Sequence, residues 1–560
     1  MLYPIRGIFR AGLLSVLIVF SVSAQEALNR QVDSVFSAYD RPGSPGCVLG
    51  VIRDGRLIYG RGYGLANLDH NLPLTTKSVL DIGSTSKQFT AAAIVLLAQQ
   101  GKLSLDDDVR KYVPELPDYG KTIIIRYLLN HTSGLRDYLT LFSLAGVDFD
   151  GVTNDDDALH IIQRQKALNF PPNEEYLYSN SGFFLLSVIV KRVSGKSLRA
   201  FAQEQIFGPL GMTSTHFHDD HTEIVPLRAT AYAPRETGFR IDMSLFEQTG
   251  DGAVMTSVED LMKWDSNFYE LKVGGRAMWD ALLTRGKLNN GEVLDYALGL
   301  RLEEYKGLKA ISHGGSWAGY RAEMIRFPEE KFTVICLCNL ASTNPTQLAH
   351  KVADIYLADR FKAAEKPSGE SSQAQPVVLT AEQLKRFIGV YRNPATGTLR
   401  RLSLKDGKLF ADSLVGPSLE AVPLAADLLR VQGASGKVEL QLLPAPPGGK
   451  AKLVVRREGS KPETLEAIDA ASPSARQLAE YVGTYASDEL DATYKLALKG
   501  ERLVLSIRRA SERKLKPTFR DGFITPEGVQ LEFRRDARGK ITGFSVQAGR
   551  VRNIGFARLP

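Results

Sequence analysis

The C-terminal third of the chain repeats itself, and no other feature restricts the fold as sharply. "EQLKRFIGVYRN" from Glu382 aligns with "RQLAEYVGTYAS" from Arg476, an offset of 94 residues. The offset holds for the next stretch, where "LSLKDGKLF" from Leu402 matches "LALKGERLV" from Leu496. Each copy shows short alternating strands separated by polar turns. One small antiparallel β-domain, a barrel, therefore occurs twice, over 379–470 and 471–560. "AAEKPSGESSQAQP", rich in Ser, Pro, Gln and Glu, reads as the linker before them, at 363–378.

The 560 residues exceed what one hydrophobic core organises. Ahead of the linker, "PGCVLGVIRDGRLIYGRGYG" reads as a β-hairpin turning at Asp54-Gly55. Helical patterns dominate from about 84 to 215. Strands return near 296–301, 308–313, 319–327 and 331–339, and "NPTQLAHKVADIYLADR" closes the region as a helix. Strands at both ends with helices between predict an α+β domain over 25–362 whose sheet joins its two ends. Such a domain is expected to fold when residues 370–560 are deleted.

Residues 1–24 are of another kind. Arg6 and Arg10 precede an apolar run from Ala11 to Val22, followed by Val22-Ser23-Ala24. That is a signal peptide with a small-residue cleavage site, too short to span a membrane, and it predicts a periplasmic or secreted protein that is not integral to the membrane. The three cysteines, Cys47, Cys336 and Cys338, are an odd count that argues against a disulfide framework. Cys336 and Cys338 alternate in "FTVICLCNL" and are expected to face the core together. Residues 25–380 carry net charge −6 and residues 381–560 carry +11. A basic tail suits contact with an anionic cell envelope, although a solvated surface is the commoner meaning of such a bias. Nothing resembles a nucleic-acid module.

Three stretches carry chemistry. In "DIGSTSKQFTAAAIVLLAQQ", Ser84 stands three residues before Lys87, on one face of a helix start. A serine hydroxyl becomes a nucleophile when a neighbouring base takes its proton, and a lysine does this where burial and nearby cations lower its pKa. The apolar run that follows makes this a buried helix, and a buried lysine needs a reason. In "PPNEEYLYSNSGFF", Tyr178 and Asn180 precede another apolar helix and can project into one cleft. The phenol can shuttle a proton; the amide can orient the lysine and a substrate carbonyl. In "ISHGGSWAGYRAEM", His313 and Gly315 sit at a strand edge, where glycine admits a substrate backbone. The Ser316 N–H there can donate to a carbonyl oxygen that becomes an oxyanion.

In this order and spacing the three motifs resemble the serine β-lactamase and penicillin-binding-protein superfamily, and its class C branch in particular, where the second motif is Tyr-x-Asn. "GKLSLDDDVRKYVPELP", "IRYLLNHTSGL", "FGPLGMTST" and "DGAVMTSVEDLMKW" extend the likeness over residues 30–360. The resemblance implies attack by Ser84, proton relay through Lys87 and Tyr178, an oxyanion held by Ser84 and Ser316, and no metal or cofactor. Asn180, His313, Gly315 and Trp317 would contact substrate. One departure stands out: the branch's β-lactamases carry Lys-Thr-Gly where this chain has His313-Gly314-Gly315. A largely neutral histidine grips a carboxylate poorly. His-x-Gly at this place is similar to D-aminopeptidases, which also carry two β-barrels after the catalytic domain. The expected activity is therefore hydrolysis of peptides, amides or esters, with a β-lactamase, a D,D-carboxypeptidase or a penicillin-binding sensor as alternatives.

"HFHDDH" at 216 offers His216, His218 and His221 to zinc, but its setting after "FGPLGMTST" favours a polar surface loop. His131 in "NHTSGL" is read as fixing a turn. Asp155, Asp156 and Asp157 are read as favouring a helix N-terminus.

Overall fold

The computed structural model describes residues 26–361, 376–412, 418–433, 437–447, 449–457, 461–508 and 512–560. The signal-peptide reading and most of the linker lie outside these. The chain divides into two compact units.

The first unit is built on a six-stranded antiparallel sheet. Its spatial order is Arg301–Tyr305, Leu308–Trp317, Tyr320–Phe327, Phe332–Cys338, Cys47–Arg53 and Arg56–Tyr63. The ends of the region do meet: Cys47–Arg53 runs antiparallel to Phe332–Cys338, from Cys47 opposite Cys338 to Arg53 opposite Phe332. The hairpin turns at Asp54 and Gly55, both in the left-handed region at φ 50° and 73°, the backbone whose twist suits a two-residue loop. The edge strand differs from expectation. It lies at Arg301–Tyr305 rather than 296–301, because the apolar residues Tyr296, Leu298 and Leu300 are buried in irregular chain and the strand itself is polar and exposed. A charged edge strand blunts edge-to-edge pairing.

One face of the sheet packs on the Pro345–Tyr356 helix through Leu348, Ala349, Val352, Ala353 and Tyr356, a stripe at helical spacing. Val32 and Phe36, from the helical residues 26–36, complete that core. Each buried Leu, Val or Phe side chain among these contributes about 1.5–3 kcal/mol. Elsewhere in the unit two apolar helices, Lys87–Gln99 and Asn180–Ser194, pack together. The first is buried from Lys87 through Leu97, as its all-round apolar pattern requires. The three aspartates lie in the first turn of the Asp155–Gln163 helix, at its positive end.

The cysteine reading needs correction. Cys47 and Cys338, 291 residues apart, form a disulfide. They are opposite one another on the strands that join the ends of the region. Cys336 is a free, buried thiol on the same face as Cys338.

The second unit contains, among the described residues, a closed eight-stranded barrel from Gly389–Arg392 to Glu463–Ile468 and a nine-stranded sheet from Gly483–Ser487 to Val551–Arg558. The first closes where Val390 pairs with Ile468. The second is nearly closed: its two edges, Arg513–Lys514 and Lys516–Phe519, are consecutive in the chain. The 94-residue repeat reaches to single bonds. Thr380 and Ser474 each start a one-turn helix with a reciprocal capping box. Tyr391 then donates to the Phe387 carbonyl at 2.9 Å, and Tyr485 to the Tyr481 carbonyl at 2.9 Å. This unit also takes in Arg136–Val147 and Arg164–Asn169, which the linear division places with the catalytic region.

Candidate active site

Ser84 lies in a single 3-10 turn, Gly83–Ser86, between the short strand Leu80–Asp81 and the Lys87–Gln99 helix. Gly83 has φ +50° and donates its N–H to Asp81 Oδ1 at 2.6 Å. This turn is pressed against the edge of the Leu308–Trp317 strand beyond Ser312, where pairing with Arg301–Tyr305 ends. Thr85 Oγ1 donates to the His313 carbonyl at 2.9 Å. A Cβ on Gly83 would lie 2.6 Å from the Ser316 nitrogen, so the backbone just before Ser84 and the Ser316 amide meet at one strand edge. A Cβ on Gly315 would lie 1.8 Å from the Ile82 carbonyl oxygen. The expectation that Gly315 makes room for substrate is thereby corrected: the chain's own backbone fills that space.

Lys87 is fully buried. Its Nζ reaches Ser84 Oγ at 3.1 Å, Asn180 Oδ1 at 3.0 Å and the Asp251 carbonyl. The last two can only accept. A neutral lysine satisfies both with its N–H groups and presents its lone pair to the Ser84 O–H. Tyr178 and Phe183 flank the amine, with ring centroids 5.0 and 5.5 Å from Nζ. Ser84 alone of the pair keeps some exposure. Ser84, Lys87, Tyr178 and Asn180 are thus assembled in one place. Sequence reasoning missed a fifth contributor, Asp251, because it acts through its backbone carbonyl, which leaves no mark in the residue type.

His313 is buried beside this group, and its ring nitrogens face inward. Ser179 N–H donates to His131 Nδ1 at 3.2 Å, so the His131 proton sits on Nε2. That nitrogen is 3.1 Å from the Tyr296 hydroxyl, which is 2.9 Å from His313 Nε2; His313 Nδ1 is 2.7 Å from the Gly314 carbonyl. The directions are then set: His131 donates to Tyr296, Tyr296 to His313, and His313 to Gly314. Burial pushes the His313 imidazole down to about 3. Burial holds the Tyr296 hydroxyl well above its ordinary value. His313 is therefore neutral with both nitrogens engaged within the protein, which corrects its assignment as a substrate contact. His131 does hold a turn, at φ 60°, and its ring lies 4.0 Å from that of Tyr178. Tyr296 was missed by sequence reasoning.

Trp317 shares a strand face with His313 and Gly315 by alternation. Its ring packs 5.3 Å from Phe246 and 6.5 Å from the exposed Phe149, an aromatic wall beside Ser316.

The histidine motif is not the surface loop expected of it. His216 lies on the strand His216–Phe217, His218 is buried, and His221 has turned away to Glu247 at 2.7 Å. Burial, with the nearby Arg199 charge, holds His216 down at about 4, and burial lowers His218 as well.

With this geometry in hand, comparisons with known proteins are informative. The family described as Beta-lactamase matches residues 32–359, and a Domain of unknown function (DUF3471) matches residues 467–558. Penicillin-binding protein 4* of Bacillus subtilis (strain 168) is 30% identical over 410 residues, covering 69% of this chain and 88% of its own. A D-aminopeptidase of Brucella anthropi is 25% identical over 563 residues, covering 96% of this chain and 99% of its own. The octameric penicillin-binding protein homologue from Pyrococcus abyssi shares the fold, with TM-score 0.53 at 24% identity over 81% of this chain and 99% of that one.

Proposed function

The chain belongs to the β-lactamase family and is a serine hydrolase of that fold; from this premise we propose that it is an exported acyl-enzyme hydrolase of peptides or amides with a D-aminoacyl group. The observation that carries the reading is Lys87, fully buried between Ser84 Oγ and two fixed acceptors. Ser84 Oγ attacks the acyl carbonyl as Lys87 takes its proton. The N–H groups of Ser84 and Ser316 hold the oxyanion. Lys87 and Tyr178 return the proton to the departing amine, and the C–N bond breaks. Water then attacks the ester, and the acid leaves from Ser84.

Two observations favour a D-aminoacyl substrate over a β-lactam. The likeness to a D-aminopeptidase runs through the C-terminal region as well as the catalytic one. The third motif offers no fixed cation for a carboxylate, since His313 is neutral and internally bonded. Penicillin binding remains a second reading because of the Bacillus subtilis relative.

Intact-protein mass spectrometry after a fluorophosphonate probe tests the nucleophile. One adduct on the wild type and none on Ser84→Ala is expected, with turnover lost in the variant. Near-normal turnover in Ser84→Ala would sink the assignment. A panel of D- and L-aminoacyl amides then tests the substrate: faster release from the D series is expected, and a labelled penicillin held without release would favour the second reading.

A further inference from the structure

A group of metal-ligating side chains lies in the first unit, apart from the serine and lysine. His216 Nε2 and His218 Nδ1 are 3.3 Å apart. Glu223 Oε2 lies 3.7 Å from the first and 3.6 Å from the second. The carboxylate is too far from either ring for a hydrogen bond, yet nearly equidistant from both. Three atoms on such edges admit a centre about 2.0 Å from each, which is the zinc–nitrogen and zinc–oxygen bond length. Donor type agrees with distance: two imidazoles and one carboxylate are one of the ligand sets of zinc sites that keep a fourth position for water.

We propose that His216, His218 and Glu223 bind a zinc ion, with a water in the fourth position, as a structural clamp. Arg199 supports the site from behind. Its guanidinium holds Glu223 through both oxygens, at 2.6 and 2.8 Å, and Asp219 at 2.9 Å. A carboxylate oxygen keeps a second lone pair after accepting one such bond, so Oε2 stays available while its direction is fixed. Asp219 offsets the Arg199 charge next to the cation. The clamp joins the strand His216–Phe217 to the loop carrying Glu223. That strand pairs with Val254–Thr256, and the His218 N–H donates to the Ala253 carbonyl at 2.7 Å. Ala253 follows Asp251, the acceptor of Lys87, by two residues. Zinc would thus stiffen the support of the lysine without entering the reaction.

The neighbouring group Asp220, His221 and Glu247 provides an internal control. Its His221 Nδ1 is 2.7 Å from Glu247 Oε1, a hydrogen-bond distance that leaves no space for an ion between them.

The test uses the full mature chain, stripped with a chelator and dialysed against Zn²⁺. Elemental analysis should find one zinc per chain, and zinc should raise the thermal midpoint by several degrees. His216→Ala and Glu223→Gln should each lose the stoichiometric zinc and the thermal shift, whereas His221→Ala should keep both. Circular dichroism of the metal-free variants confirms that they are folded; Glu223→Gln preserves shape should His216→Ala misfold. Tetrahedral Co²⁺ absorption should appear in the wild type and be absent from Glu223→Gln. No stoichiometric zinc in the wild type, or uptake that survives His216→Ala and Glu223→Gln, would overturn the proposal.

Discussion

Tyr296 is the residue on which the internal relay turns, since it receives from His131 and gives to His313. Tyr296→Phe removes both bonds, and with them a hydroxyl partner from each of two buried ring nitrogens. Each buried group left unsatisfied costs about 1–3 kcal/mol. Urea denaturation should show a loss in that range, together with a lower kcat because the His131 ring supports Tyr178. A variant as stable and active as the wild type would remove the relay from the account. Asp81 gives a second residue-scale prediction. Burial pushes its carboxyl up to about 7, against an opposing hydrogen bond from Gly83 N–H and a further push from Asp251. Between about pH 4 and 7 the unfolded chain has lost this proton while the folded chain still holds it. The stability Asp81 contributes is therefore present at low pH and lost as pH rises through about 7. Asp81→Asn has no proton to lose and keeps an oxygen for Gly83. Its thermal midpoint relative to wild type should rise from about pH 4 to about pH 8; a constant difference would contradict this. Glu323, also raised to about 7, is common to both proteins and cancels in the comparison. The residues readable from sequence were those whose own side chains stand at fixed short spacing, Ser84 with Lys87 and Tyr178 with Asn180, and the structure brings these together. Asp251 and Tyr296 were not, because a backbone carbonyl has no residue signature and a lone tyrosine in an apolar stretch looks like core.

At the scale of elements, the site depends on how closely the Gly83–Ser86 turn lies against the Leu308–Trp317 strand. Gly315→Ala would set a Cβ 1.8 Å from the Ile82 oxygen, so turn and strand must part. A displacement of about 1 Å at reacting groups costs roughly a hundredfold in rate. A fall in kcat of that order is expected, with circular dichroism unchanged and fluorophosphonate labelling of Ser84 slowed. Full activity would mean that the contact does not set the oxyanion site. Sequence patterns placed the hairpin, the strands after Leu308 and the closing helix because each carries its own period or turn dipeptide. They misplaced the edge strand, where "RLEEY" has little apolar alternation while the loop before it is apolar. They also missed the disulfide. Its partners are separated by 291 residues and meet only through strand register, which an odd count of three cysteines does not disclose.

At the scale of the whole molecule, the repeat gave the second unit its two β-domains, but the chain does not enter that unit only at the linker. Arg136–Val147 and Arg164–Asn169 belong to it. Arg136 is the anchor: its side chain is 1% exposed and pairs with Glu489, at 9%. Its guanidinium also donates to Gln165 Oε1 at 3.0 Å and to the carbonyls of Arg552 at 3.0 Å and Asn553 at 3.1 Å. Asn169 accepts from the Arg552 N–H at 2.8 Å, and Tyr494 donates to the Leu144 carbonyl at 2.7 Å. A linear reading could not find these bonds, because Arg136–Val147 and Arg164–Asn169 look like ordinary catalytic-region helix and loop, and Glu489, Tyr494, Arg552 and Asn553 lie more than 300 positions away. The linear reading expects a fragment ending near residue 362 to fold alone. The bonds argue otherwise: in that fragment a buried guanidinium loses its carboxylate and two carbonyls at once. Removing one partner of a buried ion pair costs about 3–5 kcal/mol. A fragment of residues 25–362 should therefore be cleaved by protease within 136–169 far faster than the full chain, and should unfold at lower urea. In the full chain, Arg136→Met, which keeps the volume and removes the charge, should reproduce the same cleavage. A fragment as resistant as the full chain in this stretch would show that the catalytic region holds residues 136–169 by itself.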